Sequence, residues 1–252
     1  MTRTPQPSPE SHADHAVFAR GLTRRFGSFV AVDNVDLAVK PQEIFGFLGA
    51  NGAGKTTTIR MLCGLLGPSG GEAWVDGLAI STQSDQIKRR IGYMSQKFSL
   101  YNDLTIAENL EFYGGVYGLS ASEITERTNQ LATRLGLMSY LKKLPSALPL
   151  GYKQRLALGC AVLHRPKILF LDEPTGGVDP AARRTFWDLI YELADSGTTI
   201  FVTTHYMDEA EYCGRVSIMD KGRIVALGSP DELKRQYDAA TMQAVFLKVV
   251  TP

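Results

Sequence analysis

The chain has 252 residues, of which 44% are hydrophobic and 21% charged. That is the balance of an ordinary globular protein, with enough apolar surface for a core. Its 27 basic and 26 acidic residues leave a formal charge of +1, which argues against a protein held to nucleic acid by bulk electrostatics.

Residues 1–15 are rich in Pro, Ser, Thr and charge and read as a disordered tail. The start of the chain shows no apolar signal-peptide core. His12 and His15 lie in the tail without the cysteine or carboxylate framework of a metal site. Val17–Thr23 and Ala31–Val39 are expected strands around a Gly27-Ser28 turn. A short apolar strand over Glu43–Leu48 ends at Gly49, and a helix is expected from about Gly54 to Cys63. Asp76-Gly77 signals a hairpin. From Asn102 to His164 the composition is helical, with breaks expected at Gly114-Gly115, Gly136 and Pro145. Beyond Pro166 three strands, Ile168–Leu171, Thr198–Thr203 and Val216–Asp220, alternate with helices. Such alternation implies an α/β fold with a mostly parallel sheet. No apolar run approaches the about 20 residues of a membrane-spanning helix. Cys63, Cys160 and Cys213 stand far apart among apolar or small residues and are expected as reduced core thiols. His164 has no motif around it and reads as structural.

The most specific local pattern is Gly49-Ala50-Asn51-Gly52-Ala53-Gly54-Lys55-Thr56, a complete G-x-x-x-x-G-K-[ST] phosphate loop between an expected strand and an expected helix. Glycines let backbone N–H groups turn inward around phosphate oxygens, and the helix start adds partial positive charge. Lys55 supplies a full charge, and the Thr56 hydroxyl is a Mg²⁺ ligand. The second pattern is Ile168-Leu169-Phe170-Leu171-Asp172-Glu173, a buried strand delivering two acids at its C-terminal end. Asp172 is expected in the Mg²⁺ shell, and Glu173 is expected to orient and polarise an attacking water.

With these segments on the page, the chain from Ala16 onward resembles the nucleotide-binding subunit of an ATP-binding-cassette (ABC) transporter. Gly49–Thr56 is similar to Walker A, Ile168–Glu173 to Walker B, and Thr175–Pro180 to the D-loop. Thr203-Thr204-His205-Tyr206-Met207-Asp208-Glu209-Ala210-Glu211 resembles the switch region, which makes His205 a γ-phosphate sensor. Gln96 sits at the Q-loop position, with a carbonyl oxygen for Mg²⁺ or water, and Phe26 where an aromatic stacks on adenine. The resemblance extends the nucleotide contacts to Thr57. It implies a P-loop NTPase core, a mostly parallel sheet plus an antiparallel β subdomain, with a helical subdomain inserted at about 97–160. The single cassette is expected over 16–240, with a short extension at 241–252.

One segment departs from the family. Where the signature is usually Leu-Ser-Gly-Gly-Gln, this chain has Leu148-Pro149-Leu150-Gly151-Tyr152. Pro149 removes a hydroxyl and a backbone donor, and Leu150 adds bulk. Gly151, the helix dipole and the Tyr152 hydroxyl remain as contacts to the other subunit's ATP. The variant fits a self-pairing subunit with a weakened site, a heteromeric pair, or a working form in one branch. The resemblance implies ATP and Mg²⁺ as ligands, a second ATPase subunit, and a separate membrane permease. It places the chain peripherally on the cytoplasmic face of the membrane, and it favours export, of multidrug type, over import. Phe98, Leu100, Tyr101, Leu104 and Phe112 suit a docking patch for that permease. Two other classes compete: a soluble ABC ATPase acting on ribosomes or DNA, and a nucleotide-binding regulatory module with little turnover.

Overall fold

The computed structural model describes residues 13–97 and 99–250. Most of the expected tail, including His12, lies outside them, as does Phe98 of the proposed docking patch.

Two sheets organise the chain. The first is antiparallel, in the order β2-β1-β4-β5, from β1 (Val17–Phe26), β2 (Phe29–Val39), β4 (Gly70–Val75) and β5 (Leu78–Ala79). The Asp76-Gly77 turn joins the last two with both residues at positive φ, 50° and 73°, as a tight hairpin turn demands. The second sheet runs β10-β9-β3-β8-β7-β6. It comprises β3 (Ile44–Leu48), β6 (Ile91–Met94), β7 (Ile168–Asp172), β8 (Thr199–Thr204), β9 (Arg215–Asp220) and β10 (Arg223–Gly228). All neighbours pair in parallel except β10 with β9. The β9–β10 hairpin touches the first sheet, where Asp33 N–H donates to Gly222 O at 2.8 Å.

The parallel strands are buried at nearly every position because both faces are covered. Ile168 and Phe170 of β7 point into one core with Phe201, Phe45, Phe47, Ile59 and Leu62, between the sheets and around α1 (Lys55–Leu62). Leu169 and Leu171 point into the other core. That second core gathers α3 (Ile106–Val116), α4 (Ala121–Arg134), α5 (Leu150–Val162) and α6 (Pro180–Asp195). It also takes in Leu233 of α7 (Pro230–Gln236) and Met242 and Val245 of α8 (Met242–Val250), so α8 packs on the body of the protein. The short helix α2 (Ser84–Arg90) leads into β6.

Two features differ from the sequence reading. Gly114-Gly115 does not break a helix but lies inside α3. A Cβ at Gly114 would come within 2.6 Å of Ile124, so the glycine serves close packing of α3 on α4. The Thr105 capping box starts that helix, and the chain leaves it at Gly118, φ 77°. The strands β6 and β10 were not among the expected elements. The Tyr152 ring packs 5.0 Å from Tyr140 and under the Arg155 guanidinium at 4.9 Å.

Gly92 of β6 fixes how closely α5 lies on the sheet. A Cβ there would sit 2.4 Å from the Ala161 carbonyl oxygen, and backbone gives way less readily than a side chain. Gly92→Ala is expected to lower stability by about 1–3 kcal/mol through overpacking, read as a reduced denaturant midpoint; an unchanged midpoint contradicts the packing described.

Candidate functional site

The phosphate loop leaves the C-terminal end of β3 and enters α1 at Gly54. Gly54 has φ 112°, and a Cβ there would stand 2.5 Å from Ala31 O on β2; only glycine fits both constraints. Gly49 is buried, Ala50, Asn51 and Gly52 are exposed, and Ala53 is buried against the core. Gly52 is exposed, with open space where a side chain would be. Lys55 Nζ donates to Gly49 O at 2.8 Å and Ala50 O at 3.2 Å. Its ammonium is thus held over the loop itself. Thr56 and Thr57 occupy the first turn of α1, both half-buried.

The helix starts divide into two kinds. Helices α3, α4 and α7 each begin with a capping box whose glutamate fills the first turn, and α6 is capped by Asp179. Helices α1 and α5 have no side-chain cap and no acid in the first turn. Their positive ends are therefore left open to an external anion. Gly151 lies at the start of α5, where a Cβ would approach Ala182 of α6 at 3.2 Å. The structure packs it on α6 and not among the residues around Lys55.

Strand β7 brings its two acids to the loop. Asp172 Oδ1 accepts from the Thr56 hydroxyl at 3.1 Å and the Thr203 hydroxyl at 2.7 Å. Burial pushes the Asp172 carboxyl up, the two hydroxyl donors pull it back, and the neighbouring Glu173 charge raises it further. The set of hard oxygen donors at Thr56 and Asp172 fits Mg²⁺, which takes one or two protein oxygens and completes its shell with phosphate and water. Among the described residues no group of three or more His, Cys, Asp or Glu could hold a metal by itself.

Glu173 is where the predicted catalytic residues meet. Its backbone is left-handed, φ 49°, a strained conformation for a non-glycine residue and one that clusters at functional sites. The strand end holds it there, because Glu173 N–H donates to both Thr203 O at 3.1 Å and Thr203 Oγ1 at 3.0 Å. Lys55 Nζ lies 3.2 Å from Glu173 Oε1 in a pair only 4% and 8% exposed. Gln96 Nε2 donates to Glu173 Oε2 at 2.9 Å. His205 Nδ1 lies 3.1 Å from the same oxygen, and since a carboxylate only accepts, this nitrogen carries the hydrogen. Thr203 was quoted as part of the switch segment without a role; it steadies both acids.

Phe26 ends β1, 47% exposed, beneath the Arg24 guanidinium at 4.6 Å. Its hairpin partner β2 is the strand whose Ala31 O lies against Gly54. Tyr101 and Phe112, in edge contact at 4.5 Å, remain exposed just past Gln96, whereas Leu100 packs into the core. His164 is a packing residue. It stacks on Tyr117 at 3.6 Å, hydrogen-bonds Ile91 O at 3.1 Å, and burial lowers its pKa to about 4. The three cysteines are buried and free, and burial raises their thiol pKa values.

A parallel-sheet core, a glycine-rich loop opening an uncapped helix, and two acids on the adjacent strand define a nucleotide-binding cassette of the P-loop class. The ABC transporter family profile matches residues 32–176. The chain belongs to that family. It is 48% identical over 237 residues to the probable multidrug ABC transporter ATP-binding protein YbhF of Escherichia coli, a match covering 92% of this chain and 41% of that protein. The chain therefore spans less than half the length of that relative. The daunorubicin/doxorubicin resistance ATP-binding protein DrrA of Streptomyces peucetius is 40% identical over 220 residues, with 87% of this chain and 67% of that one covered. Among solved structures, an ATP-binding subunit of an ABC transporter superposes with TM-score 0.84 at 29% identity, covering 93% of this chain and 99% of that one. A dimeric ATP-binding cassette bound to ADP and Pi gives 0.77 at 25% identity, covering 84% and 98%.

Proposed function

We propose that the chain is the ATP-hydrolysing subunit of an ABC exporter of multidrug type, working through a separate membrane permease. The observation that carries the hydrolytic reading is the convergence of Lys55, Gln96 and His205 on Glu173 beside the phosphate loop. The loop amides and Lys55 bind the phosphates, Thr57 adds a contact on the first turn, and Phe26 stacks on the adenine. Glu173 takes the proton of the attacking water, with Gln96 and His205 holding its carboxylate in place. Thr56, Asp172 and Gln96 would hold Mg²⁺, which supplies charge neutralisation on the phosphate oxygens.

A second cassette completes each site. The uncapped start of α5, with Gly151, is oriented by α6 and offers an anion-binding helix end even though Pro149 has replaced the usual hydroxyl. Support for export comes from the relatives, YbhF being a probable multidrug ABC transporter ATP-binding protein and DrrA a drug-resistance ATP-binding protein. Support for a separate permease comes from the exposed Tyr101–Phe112 pair, and among the described residues no helix is long and apolar enough to cross a membrane. On this reading the subunit sits on the cytoplasmic face of the membrane, held there through its permease. Pulldown of the tagged chain from detergent-solubilised membranes is expected to bring down a polytopic membrane protein, and Tyr101→Ala with Phe112→Ala to release it. Recovery of the chain with ribosomes or DNA alone would favour the soluble-ATPase reading.

Phe26 provides a separate check on the binding half. Stacking of a base on an aromatic ring contributes about 1–3 kcal/mol. Phe26→Ala is expected to raise KM for ATP about tenfold with little change in kcat, and Phe26→Tyr to restore it. Equal KM in all three proteins would remove Phe26 from the site.

A further inference from the structure

The buried carboxylate of Glu209 takes no part in the chemistry above, yet its surroundings are the catalytic segments. It is 0% exposed. It accepts a hydrogen bond from the Thr175 hydroxyl, two residues beyond Glu173. Arg183 Nε lies 3.5 Å from its Oε1. Arg183 belongs to the first turns of α6, directly after the D-loop segment Thr175–Pro180. The same guanidinium reaches Asp208 Oδ2 at 3.3 Å and covers the Tyr206 ring at 4.0 Å. The Tyr206 ring in turn lies 4.2 Å from the His205 imidazole, and His205 meets Glu173. A continuous set of contacts thus joins Glu209, Arg183, Tyr206, His205 and Glu173.

Burying a carboxylate costs several kcal/mol unless a partner compensates. An apolar residue would fill the position of Glu209 without that cost, so its presence calls for a role beyond filling space. The pair is also slack. Arg183 Nε and Glu209 Oε2 have no hydrogen-bond partner among the described residues. The segment Tyr206–Cys213 is a loop and a single 3₁₀ turn, anchored in the core by Met207, Ala210 and Cys213. The arginine above Tyr206 and the glutamate behind it add a tie from this segment to α6 and Thr175.

We propose that Arg183 and Glu209 are positioning residues that hold His205 against Glu173 and tie its placement to the D-loop and α6. The inference rests on the hydrolytic reading of Glu173 and His205 above. A second cassette that moves the D-loop would then reset His205 through Arg183, so turnover follows the state of the dimer. Neither residue touches nucleotide in this account, and loss of the pair acts on kcat rather than on ATP binding.

The test uses the full chain with Arg183→Met, which keeps the bulk of the side chain, and with Glu209→Gln, which keeps an acceptor for Thr175. Arg183→Met is expected to lower kcat about 10- to 100-fold, the scale of a misplaced catalytic group, with KM for ATP within about twofold and a smaller loss for Glu209→Gln. A structural role alone would raise KM and lower the melting midpoint together. The second readout needs no turnover. The His205 imidazole resonance, assigned by its absence in His205→Ala, is expected to shift on Glu173→Gln in the parent protein. In the Arg183→Met and Glu209→Gln backgrounds that shift is expected to vanish. A shift of the parent size in both backgrounds overturns the inference. Absence of ATP turnover in the parent protein would instead overturn the hydrolytic reading, with the resonance still deciding the positioning role.

Discussion

Glu173→Gln is expected to stop ATP turnover while leaving ATP bound. The substitution keeps the size of the side chain and its hydrogen bond with Gln96 can persist with the amide turned, so the fold and the phosphate loop stay intact. What is lost is the proton acceptor at the one point where Lys55, Gln96 and His205 converge. A general base contributes about 10²- to 10⁴-fold to rate, so phosphate release is expected to fall by at least about 100-fold. Nucleotide affinity is expected to stay within a few-fold, because Lys55 loses its ion pair with Glu173 but keeps its bonds to Gly49 O and Ala50 O. A variant that turned over at a third of the parent rate would show that Glu173 is not the base.

Lys55→Met is expected to have the opposite signature. Lys55 is the buried cation of the loop, 4% exposed, bonded to two loop carbonyls and paired with Glu173. Its removal takes away the charge-assisted contacts to phosphate, and truncating such a contact costs about 2–5 kcal/mol. ATP affinity is expected to drop about 100-fold, equivalent to about 2.7 kcal/mol. It also leaves the Glu173 carboxylate buried with one partner fewer. Unpairing a buried charge destabilises by about 3 kcal/mol at the low end, offset here by Gln96 and His205. The variant is therefore expected to bind ATP poorly and to melt earlier. Combining Lys55→Met with Glu173→Gln should recover part of the melting midpoint and none of the ATP affinity. Separate equilibrium titration and thermal unfolding distinguish the two effects, and a Lys55→Met protein with parent affinity would place the phosphates elsewhere.

How much of this was legible from residues alone depended on how local each feature is. The phosphate loop is written in consecutive residues, because the backbone turn, the lysine and the helix start must all fall within one loop. Asp172 and Glu173 are legible for a similar reason: four apolar residues end at two acids, and β7 sits beside β8 and close to β3 in the sheet. His205 and Gln96 needed the family resemblance, since a lone histidine or glutamine carries no local signal. The structure then places both on one carboxylate. Features that depend on neighbours distant in sequence were not legible. Gly114-Gly115 looks like a helix break until Ile124 is seen packed against it. The strand Arg223–Gly228 pairs with β9 at the edge of the sheet, with a polar and apolar mix that gives a weak pattern. Arg183 and Glu209 are ordinary charged residues in the sequence, and only the packing of α6 against the segment after His205 brings them together.

The altered signature is the place where residue reading and structure inform each other most. The Ser-to-Pro change suggested a weakened contact to the second subunit's ATP. Yet α5 joins α1 in lacking both a side-chain cap and an acid in its first turn. Helices α3, α4 and α7 begin with capping glutamates, and α2, which also lacks a side-chain cap, carries Asp85 in its first turn. The uncapped start of α5 is consistent with the anion site proposed above at Gly151, in which the helix end would take over the part of the missing hydroxyl.

The central claim is that this cassette hydrolyses ATP with Mg²⁺ held at Thr56 and Asp172. The most direct measurement is phosphate release by the purified parent protein, together with whatever membrane partner accompanies it, as Mg²⁺ is titrated against fixed ATP. The account predicts release that requires both, saturates with Mg²⁺ and ceases when a chelator is added. Tight binding of ATP without phosphate release at any Mg²⁺ concentration would contradict it.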